Sequence, residues 1–536
     1  MKNVAFHNLG CKVNSYELDV VQQNFVKRGY IIVPFDQIAD IYVINTCTVT
    51  NIADRKSRQM IRRAKKQNPR ALVVALGCYV QTGKEDALQD SDIDIAIGNN
   101  KKKDTVEIVE AYLQKHLPVK AAREAGTNYI VETTDGTQDH VTGAIDETKA
   151  AYAMGAIDET KAAYVTGAID ETKAAYAMGT IDEAKAAYAM GAIDETKEAY
   201  EEGTIDETKA DHVSGTAHET VRNIIDINHT HEYEEMKLEQ TGEHTRAYIK
   251  IQDGCNQFCS YCIIPFARGR VRSRLPEDIC EEIRGLADKG YCEFVLTGIH
   301  ISSYGVDFED KITLLDLILQ IREIGGVKRI RLGSLEPRIV TEEFASALGK
   351  IDEICPHFHL SLQSGCDETL KRMNRRYTAA EYKEGVDRLR KYFTNPAITT
   401  DVIVGFPGET DREFERTEVF LRETDFFEMH IFPYSARKGT VAAGMKEQVE
   451  GEVKKNRSRR LLALEKEQSK EYRKQFVGQE ETVLFEEMKE IEGKFYQIGH
   501  TKRYVKVAKE TLDDLSGRLI QGKIIGMLND EMLLME

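Results

Sequence analysis

The sequence predicts an α/β protein in three parts: an N-terminal parallel-sheet α/β domain, a partial (β/α)6 barrel and a small C-terminal all-β barrel. Three observations predict it. Short apolar runs alternate with helical patterns over the first hundred or so residues, and the alternation resumes for about six units after residue 241. From residue 480 onward the chain holds only short strands split by Gly and polar turns. With 536 residues, the chain is too long for one ordinary core.

In the first part, 4–8, 41–45, 71–76 and 93–97 read as strands, and 15–27 and 52–66 as helices. Apolar strands alternating with helices imply a parallel sheet with crossover helices. In the second part, strands fall at 248–251, 293–296, 329–332, 357–362, 399–404 and 428–432. Helical patterns lie between them, at 276–289, 313–324, 341–348, 379–391 and 412–423. The segment 447–475 reads as one long charged helix, and 482–485, 504–508 and 519–525 as strands of a small barrel. The expected domains are 1–120, 241–472 and 475–536, with an insertion at 126–238.

The insertion carries a tandem repeat that begins at Gly143 and restarts at Gly155, Gly167, Gly179, Gly191 and Gly203. A helix of ~3.6 residues per turn would rotate each unit by about 120°. Ile and Tyr therefore form no continuous stripe that could dock. One Gly per unit costs a further ~1 kcal/mol relative to Ala. The expectation is an acidic, mobile segment. It also accounts for −10 of the net charge of −16, because 143–214 holds 16 Asp/Glu against 6 Lys. Compact basic runs remain elsewhere, and local fields steer nucleic acid more than whole-chain totals do.

Apolar runs are too short to span a membrane, and no long apolar segment follows Met1. A cytoplasmic protein without a membrane partner is expected, where thiols stay reduced. The ten cysteines then read as metal ligands, reactive groups or core residues, not disulfides.

Cys255, Cys259 and Cys262 form the strongest motif, in the loop after a predicted strand. Three close thiolates suit three irons of a [4Fe–4S] cube and leave the fourth iron open to a chelating cosubstrate. The other readings are a zinc knuckle or incidental thiols. Zinc wants four closed ligands, and no His lies between Lys250 and Gly298. Cys11, Cys47 and Cys78 each follow a predicted parallel strand. The C-terminal strand ends of an open α/β sheet share one edge, so three thiols distant in sequence converge there. The other reading is three separate core cysteines. Cys280, Cys292, Cys355 and Cys366 have no ligand spacing and read as packing.

These motifs resemble the methylthiotransferases of the radical-SAM superfamily over nearly the whole chain outside the repeats. Besides the cysteines, the likeness rests on 263–269 (Ile-Ile-Pro-Phe-Ala-Arg-Gly), 297–300 (Thr-Gly-Ile-His), 360–365 (Leu-Ser-Leu-Gln-Ser-Gly), 405–410 (Gly-Phe-Pro-Gly-Glu-Thr) and 434–440 (Tyr-Ser-Ala-Arg-Lys-Gly-Thr). The wording around Cys11 and Cys47 is most similar to the MtaB branch. That branch converts N6-threonylcarbamoyladenosine beside the tRNA anticodon to its 2-methylthio derivative.

The resemblance implies a radical-SAM barrel and a TRAM-like tail. It implies a catalytic [4Fe–4S] cluster on Cys255, Cys259 and Cys262, an auxiliary [4Fe–4S] cluster on Cys11, Cys47 and Cys78, and S-adenosylmethionine as radical source and methyl donor. A flavodoxin- or ferredoxin-type electron donor and a sulfur source complete the implied partners. A sister enzyme acting on a ribosomal-protein aspartate, or a non-catalytic iron–sulfur RNA-binding or electron-transfer protein, are the alternatives.

Three basic runs suggest tRNA contact. They are 55–66, with Arg62, Arg63, Lys65 and Lys66; Arg268, Arg270, Arg272 and Arg274, beyond the first motif; and 454–460, at the start of the long helix.

Overall fold

The computed structural model describes residues 2–83, 92–116, 141–142, 165–166, 220–241 and 245–536. Nearly all of the repeat block, and with it the expected mobility, lies outside those residues. The chain divides into two units, Met1–Val106 with Arg222–Glu536, and Glu107–Val221. In the second, Val141–Thr142 pairs in parallel with Val165–Thr166.

The first unit opens with a parallel sheet. Its strands are β1 (Asn3–Asn8), β2 (Ile31–Val33), β3 (Ile41–Thr46), β4 (Leu72–Gly77), β5 (Ile95–Ile97) and β6 (Val221–Asn223), in the order β2-β1-β3-β4-β5-β6. Every residue of β3 and β4 is buried, as a strand covered on both faces requires. Helix α1 (Lys12–Lys27) crosses from β1 to β2, and α2 (Asn51–Gln67) from β3 to β4. Thr50 caps α2 by accepting from Ala53 N. The short helix α3 (Cys78–Thr82) follows β4 directly.

Residues 222–241 pack within this unit. The Tyr16 hydroxyl donates to the Met236 carbonyl, and the Tyr233 hydroxyl to the Lys250 carbonyl at 2.9 Å. Residues 222–238, which the sequence reading counts with the insertion, belong to this first unit. Their last stretch has apolar anchors, Met236 and Leu238, that a repeat-centred reading passes over.

Six parallel strands form the partial barrel: Ala247–Asp253, Glu293–Gly298, Arg329–Leu332, His357–His359, Ala397–Val404 and Glu428–Pro433. A bridge between Leu335 and Leu360 joins the two halves. The helices between them open on designed-looking starts. Thr313 with Asp316, Thr378 with Glu381 and Thr410 with Glu413 each make a reciprocal capping box. Phe358, Leu360, Ile398, Val402 and Met429 join the core with Tyr382, Val386 and Leu389 of the helix Ala379–Tyr392. The pleat then turns the alternate residues His359, Thr399, Asp401 and His430 to the opposite, interior face.

The helix Gly451–Lys474 leads to a closed barrel of five strands, Glu480–Ile491, Lys494–Thr501, Lys506–Glu510, Leu519–Asn529 and Met532–Met535. Lys494–Thr501 is absent from the sequence reading because its Gly499 looks like a turn residue. A β-carbon there would lie 2.2 Å from the Leu484 carbonyl oxygen, so this glycine marks close strand approach. Among the described residues, no helix is long and apolar enough to cross a membrane.

Candidate active site

Cys255, Cys259 and Cys262 occupy the loop after the first barrel strand and are all half-buried. Gly254 makes the turn possible. Its φ is +72°, and a β-carbon would lie 1.7 Å from the Arg270 carbonyl oxygen. Cys255 N donates to Gly269 O and Cys262 N to Cys259 O, both at 3.0 Å. Ser260 N donates to Met373 O at 3.0 Å, and Arg375 Nη1 donates to Cys259 Sγ at 3.3 Å. Burial, with the neighbouring Cys259, pushes the Cys262 thiol up to about 12. Burial and the same neighbour push Cys255 up to about 11, against a backbone N–H from Gln257. Burial thus favours the protonated form of Cys255 and Cys262, and iron bound there would supply the positive charge that makes thiolates of them.

Cys11, Cys47 and Cys78 stand at the C-terminal ends of β1, β3 and β4, three adjacent strands. Gly10 (φ +128°) and Gly77 (φ +93°) make the exits, and a β-carbon at Gly10 would lie 3.2 Å from Cys47 Cβ. Asn14 Nδ2 ties two exits together, donating to Leu9 O at 2.8 Å and Thr46 O at 3.1 Å. Burial first, then the charges of Cys78 and Cys11, push the Cys47 thiol up to about 11. Two separate three-thiol sets, at least partly buried except at the exposed Cys11 and each lacking a fourth protein ligand in its sequence motif, fit the donor set of a site-differentiated cube.

The two sets are bound to each other by buried charge. Arg268, six residues after Cys262, donates to Glu17 (2.8 and 2.9 Å), Asp253 (3.1 Å) and Asn14 Oδ1 (2.6 Å). Lys250 Nζ meets Glu17 at 2.7 Å, and Lys102 joins the same carboxylate. Burial would raise the Glu17 carboxyl, but Arg268, Lys102 and Lys250 hold it well below the usual range. Asn99 Nδ2 bridges Ala267 O (2.7 Å) and Cys78 Sγ (3.5 Å). On the other flank, Arg437 donates to Asn51 Oδ1 at 3.0 Å and also reaches Asp54 and Thr48, closing 434–440 onto the loop after Cys47.

The basic runs divide on inspection. Arg62, Arg63 and Lys66 are exposed on α2. Lys65 is occupied by Asp94 (2.7 Å) and the Ala71 carbonyl (2.9 Å). Arg268 is fully buried, so the expectation that it contacts RNA is wrong: no phosphate reaches it. Arg272 and Arg274 are buried likewise, Arg274 against Glu235 and Glu282. Arg270 is half-buried with its guanidinium 4.5 Å from the centre of the Phe258 ring.

Residues 249–421 match the Radical SAM superfamily model, and residues 3–98 the uncharacterized protein family UPF0004. The Bacillus subtilis threonylcarbamoyladenosine tRNA methylthiotransferase MtaB is 34% identical over 98% of this chain and 94% of its own length. The chain belongs to the MtaB family of radical-SAM methylthiotransferases. The Aquifex aeolicus MtaB is 31% identical over 97% of this chain and 99% of its own. A Clostridium botulinum tRNA-2-methylthio-N(6)-dimethylallyladenosine synthase is 40% identical, but over 53% of this chain and 59% of its own. As an MtaB-family transferase, the protein uses S-adenosylmethionine and [4Fe–4S] clusters. Glu17, Asn99 and Arg375 escaped the sequence reading, and Asn14 and Arg437 entered it only within the stretch around Cys11 and the 434–440 signature. Their one signal is a charged or amide residue at a position where helix or loop periodicity demands an apolar one.

Proposed function

We propose that this protein converts N6-threonylcarbamoyladenosine near the tRNA anticodon to its 2-methylthio derivative. One observation carries the reading above all: two three-cysteine sets sit on strand ends that Arg268, Asn14 and Glu17 bolt together. The full-length likeness to relatives named for that substrate supports it. Cys255, Cys259 and Cys262 would hold the catalytic cluster, and Cys11, Cys47 and Cys78 the auxiliary one. When bound, the clusters and S-adenosylmethionine supply the radical chemistry and the sulfur that an inert aromatic C–H demands.

The protein's own residues hold and shield. Arg375 offsets negative charge at Cys259, while Arg268 and Arg437 keep the two cysteine loops at fixed separation. Arg62, Arg63 and Lys66 would meet phosphates, and the tail barrel would act as a TRAM-like RNA-binding module. An anticodon loop offers unpaired bases that can be splayed into a pocket. The reading carries with it a cytoplasmic location, a flavodoxin- or ferredoxin-type electron donor and an external sulfur source. The test supplies reconstituted enzyme with tRNA bearing or lacking the threonylcarbamoyl group and reads nucleosides by mass spectrometry. Methylthio product only on the modified tRNA is expected. Equal product on isopentenylated adenosine, or product on a ribosomal protein, overturns the reading.

A further inference from the structure

The barrel interior holds a group of side chains that the cysteine chemistry leaves unused. His359, Asp401 and His430 stand on three adjacent parallel strands, with Asp401 opposite His430 in register. His359 Nε2 lies 3.2 Å from Asp401 Oδ2, and the His359 and His430 rings stack with centroids 5.8 Å apart. One polar atom from each of the three lies within 4.8 Å of the other two, and none of the three side chains is buried. They therefore line accessible space instead of filling core. The group lies near the radical-SAM loop. Two residues beyond His359, the Ser361 carbonyl accepts from Arg375 at 3.3 Å, and the same guanidinium donates to Cys259 Sγ.

Charge sets this group apart. Glu17, Asp253 and Glu293, all buried, are each met by fixed cations: Glu17 by Arg268, Lys102 and Lys250, Asp253 by Arg268 and Lys250, Glu293 by Arg329 and Arg331. Among the described residues no lysine or arginine pairs with Asp401, whose carboxylate has His359 as its one partner. Neither ring nitrogen of His430 has a hydrogen bond among those residues. On the far side of His359, Nδ1 lies 3.0 Å from the hydroxyl of the buried Thr399. If that hydroxyl accepts from Nδ1–H, the Nε2 lone pair faces the Asp401 oxygen, and a cation shared between the two relieves the contact. An imidazole held from behind in this way is the outer-shell arrangement of a metal-bound histidine.

We propose that His359, Asp401 and His430 bind a divalent first-row metal ion in the barrel interior. Two imidazoles and one carboxylate are ligand types that suit such ions without any thiolate. Bonds of ~2.1 Å set ligand atoms ~3–4 Å apart. His359 and Asp401 already stand at such a separation, and only the exposed His430 has to close. Three protein ligands leave positions open, and these would take oxygen donors: water, or a hydroxyl or carboxylate of a molecule entering the barrel. The site shares no residue with either cysteine set and does not depend on which nucleoside the enzyme modifies.

The test adds Mn²⁺ to cluster-reconstituted protein freed of loose metal on a chelating resin. Mn²⁺ prefers oxygen and nitrogen ligands to thiolates. Oxidised [4Fe–4S] cubes are silent in electron paramagnetic resonance, so the Mn²⁺ spin is read without interference. Nitrogen modulation of its spin echo reports bound imidazole, and Mn²⁺ on surface carboxylates gives none. One ion per chain, coupled to two imidazole nitrogens, is expected. His430→Gln should remove one of the two and lower Mn²⁺ affinity by about tenfold or more, and Thr399→Val should lower affinity about tenfold with both nitrogens kept. Asp401→Asn should also weaken binding with both nitrogens kept. Iron content at the wild-type level shows that each variant has kept its fold, and His430, being exposed, carries the decisive change. A wild-type spectrum without imidazole nitrogen overturns the site and leaves a plain His359–Asp401 pair. An iron-replete His430→Gln with an unchanged spectrum and affinity overturns it as well.

Discussion

Arg268 meets Glu17 through both terminal nitrogens, Nη1 to Oε1 at 2.8 Å and Nη2 to Oε2 at 2.9 Å. The loop carrying one cysteine set is thereby clamped to the helix that starts beside the other. Glu17→Ala would take the carboxylate from buried Lys102 and leave Arg268 and Lys250 to share Asp253, a loss of roughly 3–5 kcal/mol. Glu281→Ala, which removes an exposed partner of Lys237, should cost far less. Urea unfolding of the two variants checks this, and equal losses would refute the buried clamp.

Glu293 gives a pH prediction. Burial alone would raise its carboxyl, but Arg331 and Arg329 hold it at about 2. A carboxyl lowered in the folded state stabilises above its ordinary value near 4.5, and that contribution is lost as pH falls toward 2. Wild type should thus exceed Glu293→Gln in stability at pH 7, with the gap narrowing only below about pH 4.5. A gap that is unchanged between pH 7 and pH 3 would contradict the pairing.

Iron counting addresses the two sets. Anaerobic reconstitution should give about eight irons per chain, as two cubes require. Changing Cys11, Cys47 and Cys78 together to Ala should leave about four irons and abolish methylthiolated nucleoside. Eight irons in that variant would place the second cluster elsewhere.

The exposed face of α2 should set salt dependence. Arg62→Ala, Arg63→Ala and Lys66→Ala together should weaken tRNA binding and flatten the plot of log affinity against log salt by about 2–3. Lys65→Ala, which breaks the Asp94 pair, should lower stability and leave that slope nearly unchanged. Identical slopes for both variants would remove α2 from the RNA surface.

Gly254→Ala forces a β-carbon against the Arg270 carbonyl at a positive φ. The loop should lose its shape, and the iron bound by Cys255, Cys259 and Cys262 should fall by about half or more relative to wild type under mild chelation. Gly451, with open space at its β-carbon, should tolerate Ala.

Much of this architecture is legible in the sequence, because period and burial agree. The runs 41–44 and 71–76 are apolar throughout, and β3 and β4 are buried throughout. The convergence of Cys11, Cys47 and Cys78 follows from parallel strand ends alone. What the sequence hides is pairing. The alternation of Arg268, Arg270, Arg272 and Arg274 looks like a basic surface. Three of the four turn inward because Glu17, Asp253, Glu235 and Glu282, distant in sequence, neutralise them. The short edge strand Ile31–Val33 likewise carries too few residues to show a period.

The two sets of cysteines also differ in when they can exist. Cys255, Cys259 and Cys262 share one loop and need only a local turn around Gly254 to gather. Cys11, Cys47 and Cys78 meet only after β1, β3 and β4 have paired across two crossover helices. A cluster on the sheet edge would therefore need the N-terminal layer finished around it, whereas one on the barrel loop would draw its three sulfurs from a single turn.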